Sequence, residues 1–322
     1  MKLARIVALT AAAAAGCALV AKREKPHPLA IRQPPLPISE TYPAPREPSD
    51  PVKKAVLDRI NEDRRKASLP PVAWDERASG VADRFCAAQI AERTRGHFLM
   101  NGIPPYARTA FDGVFGIQAE NAVAWRTTAP RFEDSALSLA LSGHASMMAE
   151  VAPNDGHRRT ILDPDATHVG VGYAVEKSDF RMAQEFLTRR LQSLSLEPAP
   201  DDPAIVVFRG RTLEGRRIAF VTIAHEPPPR PLSRGVVNTR DSYTYPAPTL
   251  AYVTTGEHSM RIVDTVTEDR IHIEANRGFS FRFAPAQPGL WTFSIYTAVD
   301  RERARPGGLA VLLVEGAGEE TK

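Results

Sequence analysis

The sequence predicts an α+β fold followed by a smaller, all-β region. Three observations carry that reading. Apolar residues recur three or four positions apart in stretches between Val52 and Val151, the spacing of amphipathic helices. From His168 onward the alternation has period two, the spacing of strands with one buried face. The composition, 43% hydrophobic and 25% charged over 322 residues, suits a globular chain with room for two domains.

The first segment, "MKLARIVALTAAAAAGCALVAK", has a basic start at Lys2 and Arg5 and then an uncharged run of small apolar residues as far as Ala21. That layout predicts an export signal over residues 1–21, and the run is too rich in alanine to predict a membrane span. It closes on Ala14-Ala15-Gly16-Cys17, which resembles the lipobox of bacterial lipoproteins, although Ala14 stands where leucine is usual. The resemblance implies that Cys17 is lipidated and ties the chain to a membrane of the cell envelope. Cleavage with release, or a retained anchor, are the alternatives. With Cys17 lipidated only Cys86 is left, and one thiol makes no internal disulfide. Cys86 lies among Val81, Ala82 and Phe85 and is expected to be inert core, not a nucleophile.

Residues 22–51 hold nine prolines, from Pro26 to Pro51, too many for the interior of a helix or sheet. They predict a semi-rigid tether of polyproline geometry, extending about 3.1 Å per residue.

The first domain spans residues 52–194. Val52, Val56 and Ile60 define a helix that "LPPV" ends. A second starts at Asp75, a good N-cap, and runs through Ala78, Val81, Phe85 and Ile90. A third covers about 133–151, with Leu137, Leu141, His144 and Met148 on one face. A short helix near His157 stops at Asp163-Pro164. "HVGVGYAV" and "FRMAQEFLTRR" then read as strands joined by a turn at Lys177-Ser178-Asp179. Gly170 and Gly172 share one face of the first strand, where they admit the close approach of a helix. "LEPAPDDP" reads as a linker. Residues 200–316 form the second domain, with period-two runs at Ile271 and Ile273, at Phe279, Phe281 and Phe283, at Trp291, Phe293 and Ile295, and at Leu309, Val311 and Leu313. Repeated short strands of this kind predict a β-sandwich-like domain.

A formal charge of +3 gives no case for nucleic acid, and no Lys/Arg stripe interleaved with aromatics is found. The chemistry of the first domain rests on His97 in "RGHFLMNG", Glu120 in "IQAENAVAW", Glu150 in "HASMMAEVAP" and His157 in "NDGHRRTIL". Neutral imidazoles ligate zinc and related ions well, and a nearby carboxylate ligates or orients bound water. The bland readings stand beside this one. Glu120 caps a following helix or turn, His144 beside Met147 and Met148 is a core histidine, and His168 is a surface residue.

The order of two helices, "GHF", "AEN", "E", "GHRRTIL" and "THVGVG" resembles the CAP superfamily in its bacterial SCP-like form, over about residues 51 to 193. The resemblance implies a CAP-type α-β-α sandwich with two histidines and two glutamates in a central cavity that binds a divalent metal such as zinc in several members. By position it makes His97 and His157 the metal ligands, with Glu120, Glu150 and His144 lining the cavity or supporting the ligands. Ala119 for the glycine of "GEN", Thr160 for the asparagine of "NIL" and "PND" for "SP" depart from the family pattern. The first reading of function is therefore an exported, envelope-anchored, non-catalytic protein whose cavity binds a divalent metal and a small or lipidic ligand. A metal-dependent hydrolase acting on envelope peptide or glycan is the second, although the chain has no HExxH pair and no GxSxG elbow. Binding of cell-wall polymer or polysaccharide through the C-terminal β domain is the third, with Tyr243 and Tyr245 in "DSYTYPAP" available to stack on sugar or to pack.

Overall fold

A computed structural model describes residues 29–31, 46–254, 259–262, 271–273, 277–299 and 303–316. The export signal, Cys17 and most of the Pro-rich segment lie outside the described residues. Within that segment Leu29–Ile31 forms a strand, β1, at a proline-free triplet able to donate its backbone N–H groups. No helix among the described residues is long and apolar enough to cross a membrane.

Helix α1 (Pro51–Lys66) opens on Asp50, whose carboxylate accepts from the backbone N–H groups of Val52 (2.7 Å) and Lys53 (3.1 Å). Pro51 belongs to its first turn, where a missing N–H costs nothing. After the short strand β2 (Ala73–Trp74), helix α2 (Glu76–Glu92) starts at Asp75, as its N-cap character predicts, and ends at Arg93 in the left-handed region. Helix α3 (Pro105–Phe111) and strand β3 (Ile117–Arg126) follow. Helix α4 (Ala136–Met148) begins later than its periodicity suggests because Ser135 caps it. Helix α5 (Gly156–Ile161) holds His157. Strands β4 (His168–Glu176) and β5 (Asp179–Thr188) complete a sheet of order β2-β4-β5-β3, in which only β2 and β4 run parallel.

One face of this sheet meets α2 at very short range. A Cβ on Gly170 would stand 2.2 Å from the backbone nitrogen of Ser79, and one on Gly172 2.2 Å from that of Asp83. The glycines exist for the close approach of this helix. The other face buries Val169, Val171, Met182 and Phe186 against Val56 and Ile60 of α1 and Leu139 and Met147 of α4. Helix, sheet and helix make three layers. Cys86, fully buried in α2, donates weakly to the carbonyl of Gly172 at 3.6 Å, and burial pushes its thiol pKa well up.

Only Arg189 and Arg190 separate this sheet from the next, and each is buried against an acid, Asp75 and Asp165, at 2.7 Å. The stretch expected to be a linker begins inside strand β6 (Leu191–Pro198), because Leu194 and Leu196 alternate inward and Pro198 sits at the strand's end. Then come β7 (Val206–Thr212), β8 (Arg217–Glu226), α6 (Arg234–Thr239), β9 (Leu250–Thr254), β10 (Ser259–Ile262), β11 (Ile271–Ile273), β12 (Gly278–Phe283), β13 (Gly289–Ala298) and β14 (Arg305–Gly316). They form one antiparallel sheet of order β1-β14-β13-β8-β9-β10-β11-β12-β7-β6. Leu194, Phe208 and Phe281 from one end share a core with Phe293 and Leu312 from the other, so the sheet folds over itself. Phe208 stacks on Phe281 at 4.4 Å and tilts against Phe293 at 4.2 Å.

Candidate functional site

Strand β3 divides the candidate residues. Successive side chains of a strand leave opposite faces, so Gln118 and Glu120 point to the α2 side and Ala119 and Asn121 to the α1/α4 side. In register, Glu120 faces Glu185 of β5 and Asn121 faces Gln184.

On the α2 side two buried carboxyl groups thus stand side by side. Arg108 of α3 reaches between them: its guanidinium pairs with Glu120 and lies 3.8 Å from Glu185, donates to the carbonyl of His97 (3.2 Å), and sits over the ring of Phe85 at 3.8 Å. Gln118 donates to Glu185. Burial, and then the facing Glu120, hold the Glu185 carboxyl well above the usual range. Burial raises Glu120 too, opposed by Arg108. One arginine therefore faces two acids, and Glu185 keeps its proton. The Nδ1 of His97 lies 2.9 Å from the Glu120 carboxylate, and burial together with Arg108 brings its pKa down to about 4. A neutral His97 donates that proton to Glu120.

The outer edge of β3 is covered by residues from beyond β8. The hydroxyl of Tyr243 accepts from the Glu120 N–H (2.7 Å) and donates to the Gln118 side chain (3.0 Å). That of Tyr245 accepts from the Gln118 N–H (2.9 Å) and donates to the Gln118 carbonyl (2.8 Å). Tyr243 meets His97 edge to face at 5.0 Å, and Tyr245 stacks on Tyr106 at 4.6 Å. Both tyrosines are taken up by packing on the first domain, so the sugar-stacking role is not open to them.

On the other face, His157 pairs through Nδ1 with Glu150, whose second oxygen accepts from the His157 N–H at 2.9 Å. Asn121 donates to the His157 carbonyl at 3.0 Å. His144 is fully buried: Gln184 donates to its Nδ1 (3.2 Å) and its Nε2 faces Asp63 of α1 (3.0 Å). Burial lowers the His144 pKa. Burial alone would raise Asp63, but hydrogen bonds from His144 and Arg59 outweigh it and hold the carboxyl below its usual range. Arg64, also fully buried, fixes the end of α5 by donating to the carbonyls of Ile161 (2.8 Å) and Asp163 (2.9 Å), and it bonds Pro70 and Ala166 as well. Beside α5 lies an open groove of about 670 Å³, lined by Ala119, Leu162 and Pro164 and rimmed by Arg158, Arg159 and Asp155.

The structure therefore brings His97 together with Glu120, and His157 with Glu150, and links the two through β3, where Asn121, the neighbour of Glu120, bonds the His157 backbone. Each imidazole is engaged at Nδ1 by its own glutamate, the contact by which a carboxylate orients a histidine ring, and the Arg108 guanidinium lies between Glu120 and Glu185. No group of three or more His, Cys, Asp or Glu suited to hold a metal ion is found among the described residues. His144 is a core histidine bonded to Asp63 and Gln184, and Glu120 is mid-strand rather than a cap. His168 is partly buried, with burial and Arg189 lowering its pKa to about 4. Sequence reasoning missed Arg108, Glu185, Gln118, Asp63 and Gln184. Gln184-Glu185 left a signal, being two polar residues set between the apolar pairs Met182-Ala183 and Phe186-Leu187. Arg108 left none.

Residues 57–188 match the family described as CAP, cysteine-rich secretory protein family. Solved structures similar to the chain include an extracellular protein containing an SCP domain from Bacillus anthracis, at 21% identity and TM-score 0.34, with 45% of each chain covered. An outer surface protein of Borrelia burgdorferi is similar at 16% identity and TM-score 0.35, over 46% of this chain and 100% of that one. The chain thus spans under half the length of the first of these and all of the second. No curated protein matches it. The segment from α1 to β5 is a CAP domain, matched over residues 57–188.

Proposed function

We propose that the chain is an exported, envelope-associated protein that binds a small ligand without transforming it, in the groove beside α5. The groove carries this reading. Its floor is apolar at Ala119, Leu162 and Pro164, and its rim is cationic at the exposed Arg158 and Arg159, of which Arg159 pairs with Asp155. Such a lining suits a small amphipathic molecule with an acidic head, a lipidic acid being the simplest. The layout of residues 1–21 and Cys17 supports export and anchoring, and mass spectrometry of the mature N-terminus tests both.

A binding role is favoured over hydrolysis by what surrounds the two histidines. His97 and Glu120 lie beneath the tyrosines, and His157 has a glutamate but no serine, threonine or cysteine among its hydrogen-bond partners. Calorimetric titration with dodecanoate tests the groove. Arg158→Glu and Leu162→Arg are expected to weaken binding at least tenfold, and equal affinity in both variants removes the groove as the site.

A further inference from the structure

The outer edge of β3 is completed by side chains in a way that resembles the capture of a ligand. In an edge strand every second residue turns its backbone N–H and C=O away from the sheet, and such groups need partners when covered. Here those residues are Gln118 and Glu120, and among the described residues no strand is paired to this edge of β3. Residues 241–248 run past this edge with neither helix nor strand of their own, Ser242 and Thr244 exposed and Tyr243 and Tyr245 turned inward. Two tyrosines spaced two apart meet two backbone positions spaced two apart, in antiparallel sense: Tyr243 on Glu120 and Tyr245 on Gln118. Each hydroxyl both accepts and donates: that of Tyr245 serves the Gln118 N–H and carbonyl, as a neighbouring strand would, and that of Tyr243 serves the Glu120 N–H and the Gln118 side chain. A phenylalanine would fill the same space and offer neither.

The segment is held on either side of the tyrosines. Upstream, Asn238 accepts from the Arg95 N–H at 3.0 Å and Arg240 lies over the Phe98 ring at 3.8 Å. Downstream, the Thr249 N–H donates to the Ile223 carbonyl at 2.9 Å. Beneath the tyrosines the buried Arg108 Nε lacks a hydrogen-bond partner, so the pocket keeps a donor that its present occupant does not use.

We propose that this pocket is a recognition site for tyrosine hydroxyls, that residues 241–248 occupy it in cis as a displaceable latch, and that its partner in trans is an extended peptide with two tyrosines two residues apart. The site lies across the sheet from the groove beside α5, so either can fail without the other.

The test uses the full chain. The double variant Tyr243→Ala/Tyr245→Ala is titrated with the synthetic peptide RDSYTYPAP and with its Tyr-to-Phe counterpart, while amide hydrogen exchange is followed at Gln118 and Glu120. The variant is expected to bind the tyrosine peptide saturably, with both amides regaining protection, to bind the phenylalanine peptide at least tenfold more weakly, and to bind more tightly than the wild-type chain, whose pocket is filled. Equal binding of the two peptides, binding of neither by a variant that keeps exchange protection in β13, or wild-type binding as tight as the variant's overturns the proposal. If the alanine variant does not fold, Tyr243→Phe/Tyr245→Phe replaces it. Exchange at Gln118 and Glu120 at least tenfold faster than in the wild type then supports the latch, and unchanged exchange overturns it.

Discussion

Glu120 and Asn121 are neighbours in β3 whose side chains leave the sheet in opposite directions, the first to His97 and Arg108, the second to the backbone of His157. Among the described residues no three His, Cys, Asp or Glu side chains come together as a metal site. Purified protein is accordingly expected to contain no stoichiometric zinc at either histidine, and His97→Ala and His157→Ala to match the wild type in elemental analysis. One equivalent of zinc in the wild type, lost from both variants, would contradict this.

The guanidinium of Arg64 satisfies four carbonyls and ties α1 to the end of α5. Arg64→Leu removes all four bonds and leaves the buried carbonyls of Ile161 and Ala166 without this donor, while Asp163 keeps the Ala166 N–H, at about 1–3 kcal/mol for an unsatisfied group. A loss of at least about 3 kcal/mol in urea denaturation is expected. A loss below about 1 kcal/mol would show that the carbonyls find other partners.

Acid should weaken the fold through His97. Its pKa is about 4 in the folded chain against 6.5 for the free side chain, so the unfolded chain takes up the proton first as pH falls. Stability is then full above about pH 6.5 and declines toward pH 4, by at most about 1.4 kcal/mol per pH unit from this one site. His168 shifts in the same direction. Denaturation curves between pH 7 and 4.5 are expected to be flatter for His97→Gln than for the wild type, and identical slopes would rule out the assignment.

Glu185 works in the opposite sense. Its raised pKa means that the folded chain retains a proton that the unfolded chain releases above about pH 4.5, so stability drains away as pH rises from there toward the folded pKa. Glu185→Gln keeps the shape and removes that loss. The variant is expected to fold and to be at least as stable as the wild type at pH 8. A clear destabilisation there would mean that Glu185 is ionised in its pocket.

Gly170 and Gly156 form a matched pair of tests. A methyl group at 170 meets the Ser79 backbone at 2.2 Å, whereas one at 156 meets nothing within 4 Å. Gly170→Ala is expected to cost about 1–3 kcal/mol or more, and Gly156→Ala to change stability by less than about 1 kcal/mol. Equal effects of the two on the thermal midpoint would contradict the close packing of α2 on β4.

Much of this architecture was legible in the residues themselves. Asp75 starts α2, the apolar period of α1 survives intact, and the two glycines of β4 lie under a helix because period-two and period-3.6 patterns leave a direct imprint on sequence. The pairing of His97 with Glu120 was legible only as membership of one cluster. That Glu120 and not Asn121 turns toward His97 was not, because it is fixed by register with β5 rather than by residue type. Arg108 went unseen for a related reason. An arginine on a seven-residue helix reads as solvated, and only tertiary packing turns it onto two acids. The linker was misplaced because proline and acidic residues near 198–203 outweighed two inward leucines.

Strand β1 borrows three residues near the start of the chain and sets them beside the last strand, Leu29 opposite Gly316 and Ile31 opposite Val314. During synthesis the three-layer half has all its parts once Thr188 has emerged, while the large sheet must wait for its final segment. Its early strands β6 and β7 leave the ribosome with unclaimed apolar faces, and their burial partners Phe293 and Leu312 arrive about a hundred residues later. Pairing of β1 with β14 therefore closes a sequence separation of nearly the whole described chain, the kind of contact that slows folding.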